Sequence, residues 1–194
     1  LACYQLDPNK KTILITGGSQ GARALNKAMA PLWQNLLEKD LQIIHITGPK
    51  LFSETSAQAT AAGVMEHPNL RLLPYVHDME HALAAADIII GRAGASFLAE
   101  VMALGRASIL IPYPYAAGNH QVANAQAMAN VGAALMILEN NLNKTTLAKA
   151  LGHLLQDNGA RQKMADQAAL QGKRDALENI VQQALQMAKQ KKKK

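Results

Sequence analysis

The sequence predicts an α/β protein, a three-layer αβα domain with about six parallel strands. Short apolar runs bounded by turn residues alternate with stretches of helical periodicity, and that spacing implies right-handed crossovers, a parallel sheet and helices on both faces. The first run, Ile13-Leu14-Ile15, is continuous rather than alternating, as in a strand buried on both sides. The chain has 194 residues, which suits one domain of ordinary size or slightly more, and 49% apolar content supports a core.

Residues 1–11 are polar and hold Asp7-Pro8-Asn9, a turn before the first strand. A helix is expected over Ala22–Leu37, a strand over Leu41–Thr47, a helix over 51–63 ending at Gly63, and a strand over Leu70–Leu73. A short amphipathic helix (Asp78–Ala86), a strand (Asp87–Ile90) and a helix stopped by Gly105 (Gly94–Leu104) follow. The series closes with a strand over Ala107–Ile111, a helix over His120–Asn130 and a short strand over Ala133–Ile137. From Asn143 the pattern is helical, with breaks near Asn158-Gly159 and Gly172-Lys173. The division expected is a lead-in over 1–11, a ligand-binding domain over 12–157, and C-terminal helices with a Lys-rich tail over 158–194. The start, Leu1-Ala2-Cys3-Tyr4, reads like the interior of a longer chain.

Composition narrows the function. Cys3 is the single cysteine, so no intramolecular disulfide forms and a reducing compartment fits. No run of 18 apolar residues suggests a membrane span, and no signal-peptide pattern is present. Of the net charge of +6, five units come from Lys189 and Lys191–Lys194, leaving 15 basic against 14 acidic groups over residues 1–188. The body is therefore not a nucleic-acid surface, and two Phe and one Trp offer little for base stacking. The Lys run reads as a solvated terminus or an expression scar, with contact to anionic lipid as the sharper alternative. The six His are scattered and no metal-ligand spacing is legible.

In a sheet of this kind ligands bind beyond the carboxyl ends of the strands. Three loops there carry chemistry. Gly17-Gly18-Ser19-Gln20-Gly21 joins the first strand to a helix start, where close backbone approach, unpaired N–H groups and the helix dipole make an anion site. The loop lacks the third glycine of G-x-G-x-x-G and has no following Gly-Lys-Ser/Thr, so it is neither common nucleotide signature. The second loop, Gly91–Glu100, sets Gly91 and Gly94 around a helix start and places Glu100 within two turns of it on an otherwise apolar helix. A carboxylate there suits the paired hydroxyls of a ribose. The third loop, Pro112–Asn124, brings His120, Gln121 and Asn124 to the next helix start, with His120 and Asn124 on one face, as a polyhydroxylated ligand requires.

Taken in order, GGSQGARALN, PYVHDM, GRAGASFLAE and PYPYAAGNHQVANA resemble the carboxy-terminal half of the MurG group in glycosyltransferase family 28, over residues 8–155. The resemblance implies a GT-B architecture, two Rossmann-like domains facing across a cleft, with this chain as the half that binds the donor UDP-N-acetylglucosamine (UDP-GlcNAc). It implies Ser19 and Gln20 beside the diphosphate and sugar, together with the Gly17-Gly18 turn and Gly94. It implies the backbone of Val76 at the uracil edge, Glu100 on the ribose hydroxyls, and His120 and Gln121, with Asn124 beside them, on the GlcNAc hydroxyls. Ala93 stands where Ser is frequent and Asn119 where Asp is, so neither is carried over as a ligand.

The implied reaction is inverting transfer of GlcNAc to lipid I, giving lipid II in peptidoglycan synthesis, with no cofactor or metal. The general base, the lipid acceptor surface and contact with the inner face of the cytoplasmic membrane fall to an amino-terminal half. The chain alone is therefore expected to be soluble, to bind donor and not to catalyse. Two other readings remain open: a donor-binding subunit of a two-chain GlcNAc transferase, and a UDP-GlcNAc 2-epimerase. A nicotinamide dehydrogenase predicts an acidic residue after the second strand, where Thr47-Gly48 stands.

Overall fold

In a computed structural model, residues 2–173 and 175–191 are described, side chains being described as far as residue 187. Six parallel strands, β1 (Thr12–Thr16), β2 (Gln42–Ile46), β3 (Leu70–Leu73), β4 (Ile88–Gly91), β5 (Ala107–Leu110) and β6 (Leu135–Met136), form one sheet in the order β3-β2-β1-β4-β5-β6. All residues of β1, β2, β4 and β5 are buried, which accounts for their continuous apolar runs.

Successive residues of a strand point to opposite faces, and the core divides accordingly. Ile13, Ile15, Ile43, Ile88, Ile90 and Ile109 pack under α1 (Arg23–Met29), α2 (Trp33–Leu37) and α7 (Lys144–Gln156). Leu14, Ile44, Ile46 and Ile89 face α4 (Met79–Ala85) and Val101 of α5 (Ala95–Leu104). Leu110 packs with α5, α6 (His120–Asn130) and Ala168 of α8 (Asn158–Gln171). The remaining helices are α3 (Phe52–Ala61), after β2, and α9 (Ala176–Lys191). Leu177, Ile180, Leu185 and Met187 of α9 are exposed. Of the Lys-rich tail, Lys192–Lys194 and the side chains of Lys189 and Lys191 lie outside the described residues.

Two expected elements differ. The helix over Ala22–Leu37 is not one α-helix. It begins at Arg23 and passes through a 3-10 turn at Ala30–Leu32, because Pro31 has no N–H to continue the α ladder. The last strand shrinks from Ala133–Ile137 to Leu135–Met136. Gly132 adopts φ +71° and the N–H of Ala133 bonds to the carbonyl of Met128, so the end of α6 claims those residues first.

Candidate functional site

The crossovers from β1 and β4 leave on opposite sides of the sheet, and a cleft of about 600 Å³ opens between their carboxyl ends. Thr16 and residues 17–24 form one wall, Arg92, Gly94 and Phe97 another, and Tyr113, Gln121 and Glu139 the rest. The glycine loop is held from behind by backbone contacts. A Cβ on Gly21 would lie 2.0 Å from the carbonyl oxygen of Thr47, and one on Gly48 would lie 2.5 Å from that of Gln20. The N–H of Gly21 bonds to Gly18 O (2.9 Å) and that of Gly18 to Thr16 Oγ1 (3.2 Å). The donors left for a ligand are the N–H groups of residues 19 and 20 and the first turn of α1, which has no side-chain N-cap.

Beneath the loop lies a buried polar cluster. Asn26, 3% exposed, donates from Nδ2 to Thr47 O (3.0 Å) and accepts at Oδ1 from His45 Nε2 (3.0 Å). His45 is fully buried and edge-on to Trp33, with ring centroids 5.6 Å apart. Burial pushes its pKa down to about 3, so the ring is neutral at physiological pH.

The other two loops are tied to each other. Gln121 Oε1 accepts from the backbone N–H of Ala93 (3.2 Å) and of Tyr113 (3.0 Å), while Asn124 Nδ2 donates to Ala93 O (3.0 Å). Gln121 thus fixes the exits of β4 and β5 through its oxygen, and the residue lines the cleft. Gln121→Ala is expected to cost about 1–2 kcal/mol of stability, the partly buried N–H of Ala93 and the exposed N–H of Tyr113 losing their shared acceptor; urea denaturation checks this.

Of the residues singled out from the sequence, Gly17, Gly18, Ser19, Gln20, Gly94 and Gln121 line the cleft. The other four stand outside its lining. Val76 follows β3 and packs partly buried against the core beside α4, and Glu100 is exposed on α5. His120, exposed at the start of α6, has Nδ1 2.7 Å from Ala117 O, and Asn124 ties down Ala93 one turn on.

The sequence reading missed the charged wall. Arg92 bonds to Ile111 O (3.1 Å), pairs with Glu139 (2.5 Å) and lies 5.3 Å over the Tyr113 ring. The other cleft arginine, Arg23, pairs with Glu54. Both cations are thus paired with carboxylates of the chain itself. A basic residue inside GRAG at a strand end was the available signal; its partner, Glu139, lies beyond two further helices and two further strands.

The family model described as the glycosyltransferase family 28 C-terminal domain matches residues 12–180. A curated relative from Moorella thermoacetica is 42% identical over 182 residues, covering 92% of this chain and 49% of the relative. Its name is UDP-N-acetylglucosamine–N-acetylmuramyl-(pentapeptide) pyrophosphoryl-undecaprenol N-acetylglucosamine transferase. The crystal structure of Acinetobacter baumannii MurG superposes with a TM-score of 0.77 at 33% identity, covering 92% of this chain and 50% of that one. A putative UDP-N-acetylglucosamine 2-epimerase from Listeria monocytogenes has a TM-score of 0.68 at 15% identity, over 90% of this chain and 44% of that one, a likeness of fold alone. The chain spans about half the length of the curated relatives it matches. With a six-stranded Rossmann-like sheet of the GT-B type and a family match over most of its length, this chain belongs to glycosyltransferase family 28, whose C-terminal domain it carries.

Proposed function

We propose that the chain is the donor-binding half of an inverting N-acetylglucosaminyltransferase that takes GlcNAc from UDP-GlcNAc to lipid I, giving lipid II in peptidoglycan synthesis. The observation that carries this is the cleft at the β1/β4 junction, lined by a glycine loop that leads into the uncapped start of α1, in a chain 42% identical to a transferase named for that donor. The loop receives the diphosphate. Its fixed N–H dipoles offset charge that develops on the departing UDP, and no metal or cofactor is required. Ser19 and Gln20 lie beside the diphosphate and sugar, and Val76 at the uracil edge. Glu100, exposed on α5, reaches the ribose hydroxyls when donor is bound. His120 and the amide nitrogen of Gln121 contact the GlcNAc hydroxyls, with Asn124 behind them. Gly17, Gly18 and Gly94 give the backbone room to approach.

The general base, the lipid acceptor surface and the attachment to the inner face of the cytoplasmic membrane belong to the half of the relatives that this chain does not match. No helix among the described residues is long and apolar enough to cross a membrane. The chain alone is expected to bind donor without turnover, and transfer activity measured on it alone would overturn that.

Isothermal titration with UDP-GlcNAc, UDP-glucose and NAD, all in EDTA, tests the donor reading. UDP-GlcNAc is expected to bind in preference to the other two, and Glu100→Ala to weaken it roughly ten- to hundredfold, as loss of a charged hydrogen-bond partner does. Preference for NAD, or no effect at Glu100, would overturn the assignment.

A further inference from the structure

Asn26 is the fourth residue of α1, the helix whose uncapped start borders the cleft, yet it is buried and is not part of the cleft lining. Both polar atoms of its side chain are engaged. Nδ2 donates to Thr47 O and, at 3.4 Å, to Thr55 Oγ1 on α3, while Oδ1 accepts from His45 Nε2 on β2. Thr47, Thr55 and His45 are themselves buried, so water does not compete for these bonds. The carbonyl of Thr47 is also the group against which Gly21 is seated, and the next residue, Gly48, lies against the carbonyl of Gln20. The exit of β2 is therefore gripped twice by one segment, once through the glycine loop and once through the helix that follows it.

His45 decides which way the Asn26 amide points. Only the nitrogen end can donate to the Thr47 carbonyl, so the oxygen end must meet a donor, and the Nε2–H of a neutral imidazole is that donor. Without it, nothing prevents the amide from turning over and setting Oδ1 against Thr47 O, two acceptors in contact. We infer that Asn26 and His45 are positioning residues for the anion-binding loop, acting through the carbonyl of Thr47. The inference rests on the donor reading above and deepens it. The diphosphate is received at the spacing between the N–H groups of residues 19 and 20 and the first turn of α1, and this tie sets that spacing. Because neither side chain lines the cleft, the effect falls on the phosphates and leaves recognition of the base alone.

Affinities of the whole chain for UDP and for uridine, measured by NMR titration, separate positioning from general stability. Asn26→Leu keeps the side-chain volume and removes both hydrogen bonds. It is expected to weaken UDP by about tenfold or more with uridine held within about twofold, since displaced donors misplace only the phosphates. His45→Leu is expected to weaken UDP in the same selective way, and His45→Gln, which retains an N–H donor for Asn26, to bind UDP as the parent does. Equal losses for UDP and uridine, the result of a fold merely loosened, or parent affinity for UDP in Asn26→Leu, would overturn the inference. If Asn26→Leu does not fold, the two His45 variants decide: UDP affinity lost with Leu and kept with Gln supports the positioning role, and equal affinities overturn it. A parent chain that binds neither UDP nor UDP-GlcNAc would instead remove the donor reading, and this role with it.

Discussion

Gly21→Ala is expected to lower stability by roughly 2–5 kcal/mol, the sum of a left-handed backbone and a steric overlap. Gly21 sits at φ +76°, where an L side chain costs about 1–2 kcal/mol. Its added Cβ would also lie 2.0 Å from Thr47 O and 2.9 Å from Gly48 Cα, both backbone atoms that no rotamer change relieves. Gly18 supplies the control. It has nearly the same φ, +80°, but nothing within 4 Å of a built Cβ, so Gly18→Ala is expected to cost only the conformational part. Urea denaturation of both variants measures the difference. Equal losses would mean that the glycine loop does not rest on the β2 exit. On the donor reading, Gly21→Ala also lowers affinity for UDP-GlcNAc by more than tenfold, since relief of the overlap moves the N–H groups that face the diphosphate.

Acid is expected to destabilise the fold through His45. Its ring donates from Nε2 to Asn26 Oδ1, and Nδ1, where a second proton would go, is buried without a partner. The folded pKa is about 3 against about 6.5 in the unfolded chain. Between those values the unfolded state binds a proton that the native state refuses. The favourable contribution is therefore complete above pH 6.5 and is lost as the pH falls toward 3, at about 1.4 kcal/mol per pH unit. Denaturation midpoints at pH 7, 6 and 5 test this in the parent and in His45→Gln, which keeps an N–H donor for Asn26 but does not titrate. The parent should lose stability with a steeper slope. Parallel slopes would show that the ring is already protonated or solvated in the native state.

The architecture was legible because each strand carries its own signal. Ile13-Leu14-Ile15 reads as a doubly buried strand without knowledge of its neighbours, and the turn at Gly17-Gly18 follows it directly. What could not be read is what lies across the sheet edge. Arg92 and Glu139 are 47 positions apart, and only the order β1-β4-β5-β6 brings their loops together. Gln121 was visible as a polar group at a helix start, but not its double attachment to Ala93 and Tyr113, which depends on β4 and β5 being adjacent. The His45–Asn26 pair lay in plain sight as a histidine inside an isoleucine run and an asparagine inside a helix. Their partnership is set by the packing of α1 over β2, which periodicity does not encode. Pro31 was the opposite case, a local breaker inside a helical pattern that should have been given more weight.

The sheet order has a consequence in time as well as in space. β1 pairs on one side with β2, whose first paired residue is 30 positions later, and on the other with β4, where Ile13 meets Ile88. The support behind the glycine loop is thus short-range in the chain, while the opposite wall of the cleft is long-range. At ordinary translation rates the ribosome needs roughly 4–15 s to make the 75 residues between those two partners. Once β2 has been made, and until β4 follows, β1 has a neighbour on one edge only, and its other edge offers unpaired N–H and C=O groups flanked by isoleucines. Of the four inner strands, the one that ends in the glycine loop therefore waits longest for its second neighbour in the nascent protein.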